Sequence, residues 1–260
     1  MFGILWKLIK VVTLGVLAFV VFWILYEIAT FPNVKKLRDN NPETTAMIEA
    51  RVDEARARGA QPKRVQMWIP LERISPNLQR AVIAGEDSNF LAHKGFDYEA
   101  IQKAWEGAQR EAEKEAKAAG EQDESSWIPQ MPNFKRGAST ISQQLAKNLY
   151  LTSERSLVRK AREAAITYFL ERNLSKRRIL ELYLNVIEWG DGIYGTEAAA
   201  RHYFKKPAAD LTPNEAAFLA AVIPNPRTVF NPQTNPRRVR RRQRIILRGI
   251  PSVRLPSGSS

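Results

Sequence analysis

Apolar positions run without a break at the start of the chain and recur with helical spacing afterwards. Residues 11–26, VVTLGVLAFVVFWILY, carry no charge, and FGILW extends the apolar run almost back to Met1. Sixteen helical residues at about 1.5 Å each cover roughly 24 Å, a little short of a hydrocarbon layer about 30 Å thick. Lys7 and Lys10 can snorkel, so a span from Phe2 to Ile28 is long enough. A cleaved signal peptide carries a shorter apolar stretch and a small-residue cleavage site. Here bulky FWILYEIATF follows, so residues 1–30 read as an uncleaved transmembrane anchor. Residues 31–67, rich in Ala, Arg and Glu, read as a polar, partly helical stalk. From Trp68 to about residues 231–232 the pattern is short helices broken by Gly, Pro and Asn, with no alternating strand signal. The fold class is mainly α.

Within that helical region, Ile141, Leu145 and Leu149 recur four apart and form one buried stripe, while ILELYLN at 179–185 is apolar enough to require burial. Gly137 and Ser139 read as a turn and helix cap before the first of these helices. Asp97 reads as the cap of another. Residues 106–124 are a charged, low-complexity run, read as a solvated helix or a disordered insertion. WIPQMPNF then restores apolar character up to Phe134.

Charge changes the picture at the two ends only. The net charge is +13, yet residues 1–38 hold five Lys/Arg against one acid and residues 237–260 hold eight Arg against none. The middle is nearly neutral. Basic ends suit an anionic membrane surface or nucleic acid. The arginine-rich segment 236–260, ending in PSGSS, reads as a disordered tail. With no cysteine there is no disulfide framework and no thiolate metal site.

Three constellations carry candidate chemistry. GEDSNFLAHKGFD at 85–97 places Glu86 and Asp87 side by side where a helix ends, with Phe90 and His93 behind them. KRGASTISQQLAKNLYL at 135–151 gives a helix whose polar side holds Thr140, Gln143, Gln144 and Lys147. Amides plus a lysine suit oxygen-rich ligands better than the mixed Glu and Lys of a solvated face. RKAREAAITYFLERN at 159–173 brings Arg159, Lys160 and Glu163 to one patch by i,i+3 and i,i+4 spacing. Read blandly, these are helix-end charges, a wet helix face and a salt bridge. Glu181 and Glu188 read as structural partners, and His202 as a packing histidine.

Taken in order, the blocks ED-x-x-F-x-x-H-x-G-x-D, G-x-S-T-x-x-Q-Q-x-x-K-N, R-K-x-x-E with S-K-x-x-I-L-E-x-Y-L-N, G-x-x-x-A-A-x-x-Y-F, and E-A-A-x-L-A-A with P-N-P closely resemble the family 51 glycosyltransferases, the peptidoglycan transglycosylases. The resemblance spans residues 68–232 and implies a lysozyme-like helical domain over 68–235. No serine here begins the S-x-x-K motif of the transpeptidase carried by bifunctional penicillin-binding proteins, so the likeness is to the monofunctional biosynthetic form.

The resemblance implies inverting glycosyl transfer from a lipid-pyrophosphate-linked chain to the 4-hydroxyl of lipid II, with release of undecaprenyl pyrophosphate. Glu86 then matches the general base, and Glu163 a second essential acid that holds the donor side through a divalent cation, Mg²⁺ or Mn²⁺, at the pyrophosphate. No organic cofactor is implied. Lys147, Arg159 and Lys160 match the cations that meet the pyrophosphate. Ser139, Thr140, Gln144 and Asn148 match substrate contacts. Asp87, Phe90 and His93 stand in the same substrate-binding block, more as shapers of the loop behind Glu86 than as chemical groups. Expected partners are lipid II, the growing glycan strand and the membrane, with penicillin-binding and cell-division proteins beside them and no nucleic acid. The N-terminus is expected in the cytoplasm and the catalytic domain outside the inner membrane. The 106–134 segment lengthens a link that is short in the family, and Trp127, Ile128, Met131 and Phe134 are expected to dip into the membrane surface. A lytic enzyme acting on finished peptidoglycan and a non-catalytic scaffold are the alternatives.

Overall fold

The computed structural model describes residues 2–119, 139–151 and 156–257. The chain divides into two units, residues 1–33 and residues 34–260. The first unit contains helix α1, Phe2–Ala29, whose large apolar side chains are exposed. It is long and apolar enough to cross a membrane.

The second unit is built from nine helices among the described residues: α2 (Ala46–Ala57), α3 (Pro76–Glu86), α4 (Tyr98–Ala119), α5 (Ile141–Tyr150), α6 (Leu157–Asn173), α7 (Lys176–Val186), α8 (Thr196–Phe204), α9 (Pro213–Val222) and α10 (Pro236–Gly249). Three very short strands accompany them: β1 (Val65–Gln66), β2 (Glu188–Gly190) and β3 (Ile193–Tyr194). β3 lies between the other two, parallel to β1 with Val65 opposite Ile193, and antiparallel to β2. Runs of two or three residues are too short to show alternation, so no strand pattern is visible along the chain. The hairpin needs its glycines. Gly192 and Gly195 have positive φ, and a Cβ on Gly192 would lie 2.5 Å from the Lys63 side chain.

The core forms where apolar stripes coincide. Ile141, Leu145 and Leu149 are buried on α5, as their spacing requires, and α7 buries every residue from Leu182 to Val186. α5 and α7 pack against each other, and α5 also receives α6 and α2. Each fully buried leucine contributes about 1.5–3 kcal/mol to this assembly. α9, alanine-rich and buried along most of its length, packs closely against both α3 and α10.

Two boundaries differ from expectation. Residues 34–67 are built into the domain: Leu37 and Ile48 are buried, α2 packs on α5, and β1 joins the sheet. Likewise residues 236–249 form a helix, where the arginine count pointed to a disordered tail. Val239 and Ile246, seven residues apart, fall on one face and are buried, so two apolar positions outweigh the repulsion among the arginines. The charged run after Tyr98 is helical as far as Ala119. Trp127, Ile128, Met131 and Phe134 lie outside the described residues.

Candidate active site

Glu86 is the last residue of α3. Ser75 caps the other end through Asn77 N, and Leu78, Val82 and Ile83 bury the inner face, so the helix delivers Glu86 at a fixed depth. Only 7% of its side chain is exposed. Oε2 accepts a hydrogen bond from Gln144 Nε2 at 2.9 Å, and Oε1 accepts one from Arg242 Nη2 at 2.7 Å. Gln144 is itself fixed, because its Oε1 accepts from the Tyr183 hydroxyl at 2.8 Å. Burial pushes the Glu86 carboxyl above its ordinary value, against the opposing pull of Arg242, Gln144 and Lys147. Burial also holds Tyr183 well above the usual phenol value, so it stays a donor to Gln144.

Asp87 points the other way. It accepts from His93 Nε2 at 2.9 Å and from the backbone N–H of Ile141 at 2.9 Å. His93 Nδ1 accepts from Gly95 N, which leaves Nε2 as the donor to Asp87. The pair therefore ties the loop after α3 to the first turn of α5, where a carboxylate also suits the helix N-terminus. Phe90 is fully buried, with the Lys176 ammonium 4.5 Å from its ring centre. Thr140 caps α5 in a reciprocal capping box with Gln143, and its hydroxyl donates to Gly95 O at 2.7 Å. These placements correct the substrate-binding reading of Asp87, Phe90, His93 and Thr140: all four face the interior. They also correct the cap, which is Thr140 and not Ser139. Ser139 is exposed beside the site, its carbonyl 3.4 Å from Gln144 Nε2.

The cations gather on α5 and α6. Glu163 is 3% exposed on α6, with Arg159 Nη1 donating to Oε2 at 3.1 Å and Lys160 Nζ to Oε1. Arg159 Nε is buried without a hydrogen-bond partner. Lys147 has no ion-pair partner among the described residues. Although its side chain is exposed to the cleft, the surrounding walls strip enough water to hold its ammonium below the ordinary lysine value. Glu163 opposes that shift, Arg159 and Lys160 add to it, and Glu86 opposes it weakly. One electrostatic neighbourhood therefore joins Glu86, Lys147, Arg159, Lys160 and Glu163.

A cavity of about 140 Å³ opens beside these groups, lined by Gln144, Lys147, Asn148 and Tyr183 on one wall and by Asn225 and Arg227 on the other. Asn148 Nδ2 donates to Gln144 O at 2.7 Å, which holds that side chain at the cavity wall. Glu188 closes one end. It accepts from Arg51 Nη2 at 3.0 Å, and burial raises its carboxyl. Arg51 and Arg227 also hold Glu54, whose carboxyl drops to about 2. Glu188 is a structural partner as its position in the turn implied, and Glu181 likewise accepts from Leu71 N at 3.3 Å. His202 is exposed, edge-on to Tyr203.

The protein's own carboxylates and histidines do not by themselves form a divalent-cation site among the described residues. Both Glu163 oxygens are engaged by cations, and no group of three carboxylate or histidine ligands exists among the described residues. The protein's own positive charge for an anionic ligand comes from Lys147, Arg159 and Lys160.

A buried carboxylate and a cluster of cations joined through Lys147 suit transfer between a hydroxyl and a sugar bearing an anionic leaving group. The comparisons decide the family. The family model described as transglycosylase matches residues 53–120 and 126–250. The chain belongs to the transglycosylase family. Among transglycosylase relatives, a biosynthetic peptidoglycan transglycosylase of Laribacter hongkongensis is 42% identical over 96% of this chain and 100% of its own length. Proteins of the same name from Nitrosomonas eutropha and Thiobacillus denitrificans are 45% and 44% identical. The first pairing covers 84% of this chain and 81% of the relative, the second 93% and 95%. The transglycosylase match runs to residue 250 and so includes α10, and it begins at residue 53, inside what reads from sequence as a stalk. Sequence reasoning missed Tyr183 and Arg242 at the site. Tyr183 was absorbed into an apolar run. Arg242 stood in a crowd of arginines, and only its spacing from Val239 and Ile246 marks it as inward-facing.

Proposed function

We propose that this protein polymerises peptidoglycan glycan strands from lipid II. The acceptor's 4-hydroxyl oxygen attacks the anomeric carbon of the growing chain while Glu86 takes its proton. The bond from that carbon to the pyrophosphate oxygen breaks, configuration inverts, and undecaprenyl pyrophosphate leaves with the electron pair. Proton removal of this kind contributes about 10²–10⁴ in rate. Lys147, Arg159 and Lys160 offset the charge that develops on the leaving group. Glu163, bonded to both Arg159 and Lys160, fixes the position of those two cations. Gln144 and Tyr183 hold the base in its rotamer.

The observation that carries this reading is the company Glu86 keeps: a nearly buried carboxylate bonded to Gln144, which lines the cavity together with Lys147, the lysine that feels Glu86, Arg159, Lys160 and Glu163 at once. A lytic enzyme would need an acid to protonate a sugar leaving group and would have no use for three cations beside it. With α1 in the membrane, the reading places the N-terminus in the cytoplasm and residues from about 34 onward outside, where the lipid-linked substrate is consumed.

The test is incubation of the full-length protein in detergent with labelled lipid II. Long glycan polymer and free undecaprenyl pyrophosphate are the expected products. Sugar fragments released from finished peptidoglycan, with no polymer from lipid II, would overturn it.

A further inference from the structure

Glu86 sits at the wrong end of its helix. The C-terminus of α3 carries the negative pole of the helix dipole, and the last turn of α3 contains no basic residue to offset it. Burial disfavours the ionised carboxylate further. Yet a general base must be ionised to accept a proton. The compensation comes from 156 residues away in sequence, where α10 crosses α3.

The contact is built on both sides. Arg242 Nη2 uses one hydrogen on Glu86 Oε1 at 2.7 Å and the other on the carbonyl of Gly85 at 2.8 Å, so it meets both the carboxylate and a terminal helix carbonyl. Its guanidinium carbon lies 5.6 Å from the centre of the Phe230 ring, and its Nε is buried without a partner. The helices can approach this closely because residue 85 has no side chain: a Cβ there would lie 2.9 Å from Ile246 Cδ1. Among the seven other arginines after residue 236, none forms an ion pair with a described residue. Arg242 is the one that faces in.

Resting on the glycosyl-transfer reading above, we propose that Arg242 is a positioning residue that keeps the Glu86 carboxylate ionised and aimed into the cleft, making α10 part of the catalytic unit. The groups facing Glu86 are Arg242 from α10, Gln144 and Lys147 from α5 and Tyr183 from α7, while Asp87, next in the chain, turns to His93 and Ile141 N. Only Arg242 and Lys147 carry positive charge there. Gln144 supplies the second hydrogen bond whichever way Glu86 titrates. Lys147 stands on the leaving-group side of the cleft. Removal of the Arg242 charge therefore falls mainly on the proton affinity of Glu86.

The test has two readouts on the full-length protein. The first needs no substrate: the carboxylate band of Glu86 is titrated by infrared difference between each protein and its Glu86→Gln counterpart. Arg242→Met is expected to raise the midpoint by about 1–3 pH units, the range for loss of an adjacent opposite charge. Arg242→Lys keeps the charge, loses the shared bond to Gly85, and is expected to shift it less. The second readout is the pH dependence of kcat for glycan polymerisation. The acid limb of Arg242→Met should move upward by the same amount, with activity recovering towards wild type at alkaline pH. Midpoints and limbs unchanged in both variants, with activity lowered evenly at every pH, would reduce Arg242 to a structural contact and overturn the proposal. If Arg242→Met fails to fold, Arg242→Lys and Arg242→Gln carry the same comparison. A Glu86→Gln protein as active as wild type would instead sink the base assignment, while the infrared midpoints would still report on Arg242.

Discussion

Glu86 and Glu163 are both buried glutamates on helices, yet their surroundings set them to opposite tasks. Glu163 has a cation on each oxygen, so its charge is engaged in holding Arg159 and Lys160. Glu86 has one cation and one neutral amide, and burial raises its carboxyl above the ordinary range. Burial alone distinguishes nothing here, since both are nearly inaccessible. The partners decide: two cations make an organiser of charge, whereas one cation and one amide leave a carboxylate that can still accept.

Breaking the comparison at each acid should give unequal losses. Glu86→Gln removes the proton acceptor while keeping the bond to Gln144 within reach, and should cost about 10²–10⁴ in kcat with donor binding little changed. Glu163→Gln leaves Arg159 and Lys160 charged but unmoored. Loss of a charged hydrogen bond is worth about 1.5–3 kcal/mol, or roughly 10–150-fold, and should appear in kcat and in the binding of pyrophosphate-bearing donor together. Single-turnover kinetics with labelled lipid II separates the two patterns. If Glu163→Gln left donor affinity intact and matched Glu86→Gln in kcat, the division of labour would be wrong.

Thr140 gives the smallest effect and sharpens the contrast from outside. It is a helix cap turned inward, so Thr140→Ala should cost about 1 kcal/mol of stability, a fall of roughly 2–4 °C in the melting temperature. Polymerisation below that temperature should hold. A large loss of activity without a loss of stability would return Thr140 to the substrate contacts.

Much of this was legible from local pattern. The Ile141, Leu145, Leu149 stripe, the buried α7 and the Arg159–Lys160–Glu163 patch follow from helical spacing, which depends on near neighbours only. The Asp97 cap also followed, and its Oδ1 accepts from Ala100 N at 2.9 Å. What stayed hidden depends on tertiary partners. That Asp87 and His93 serve the start of α5 emerges only when residues 87 and 141 meet. The role of Arg242 required α10 to cross α3, and a segment so rich in arginine reads as solvated until two apolar residues on one face bury it. β1 joins β3 across more than a hundred residues and has no local signature at all.

The pH–rate profile of polymerisation tests the account at its centre. Glu86 works as a base only when ionised, and its raised carboxyl should set the acid limb of kcat/KM above the ordinary glutamate value of 4.5. Lys147, held below 10.5, should set an alkaline limb beneath that value as its charge is lost. The account predicts a bell whose acid limb is absent from the residual activity of Glu86→Gln. An acid limb at or below 4.5 in the wild type, or the same limb persisting in Glu86→Gln, would contradict it.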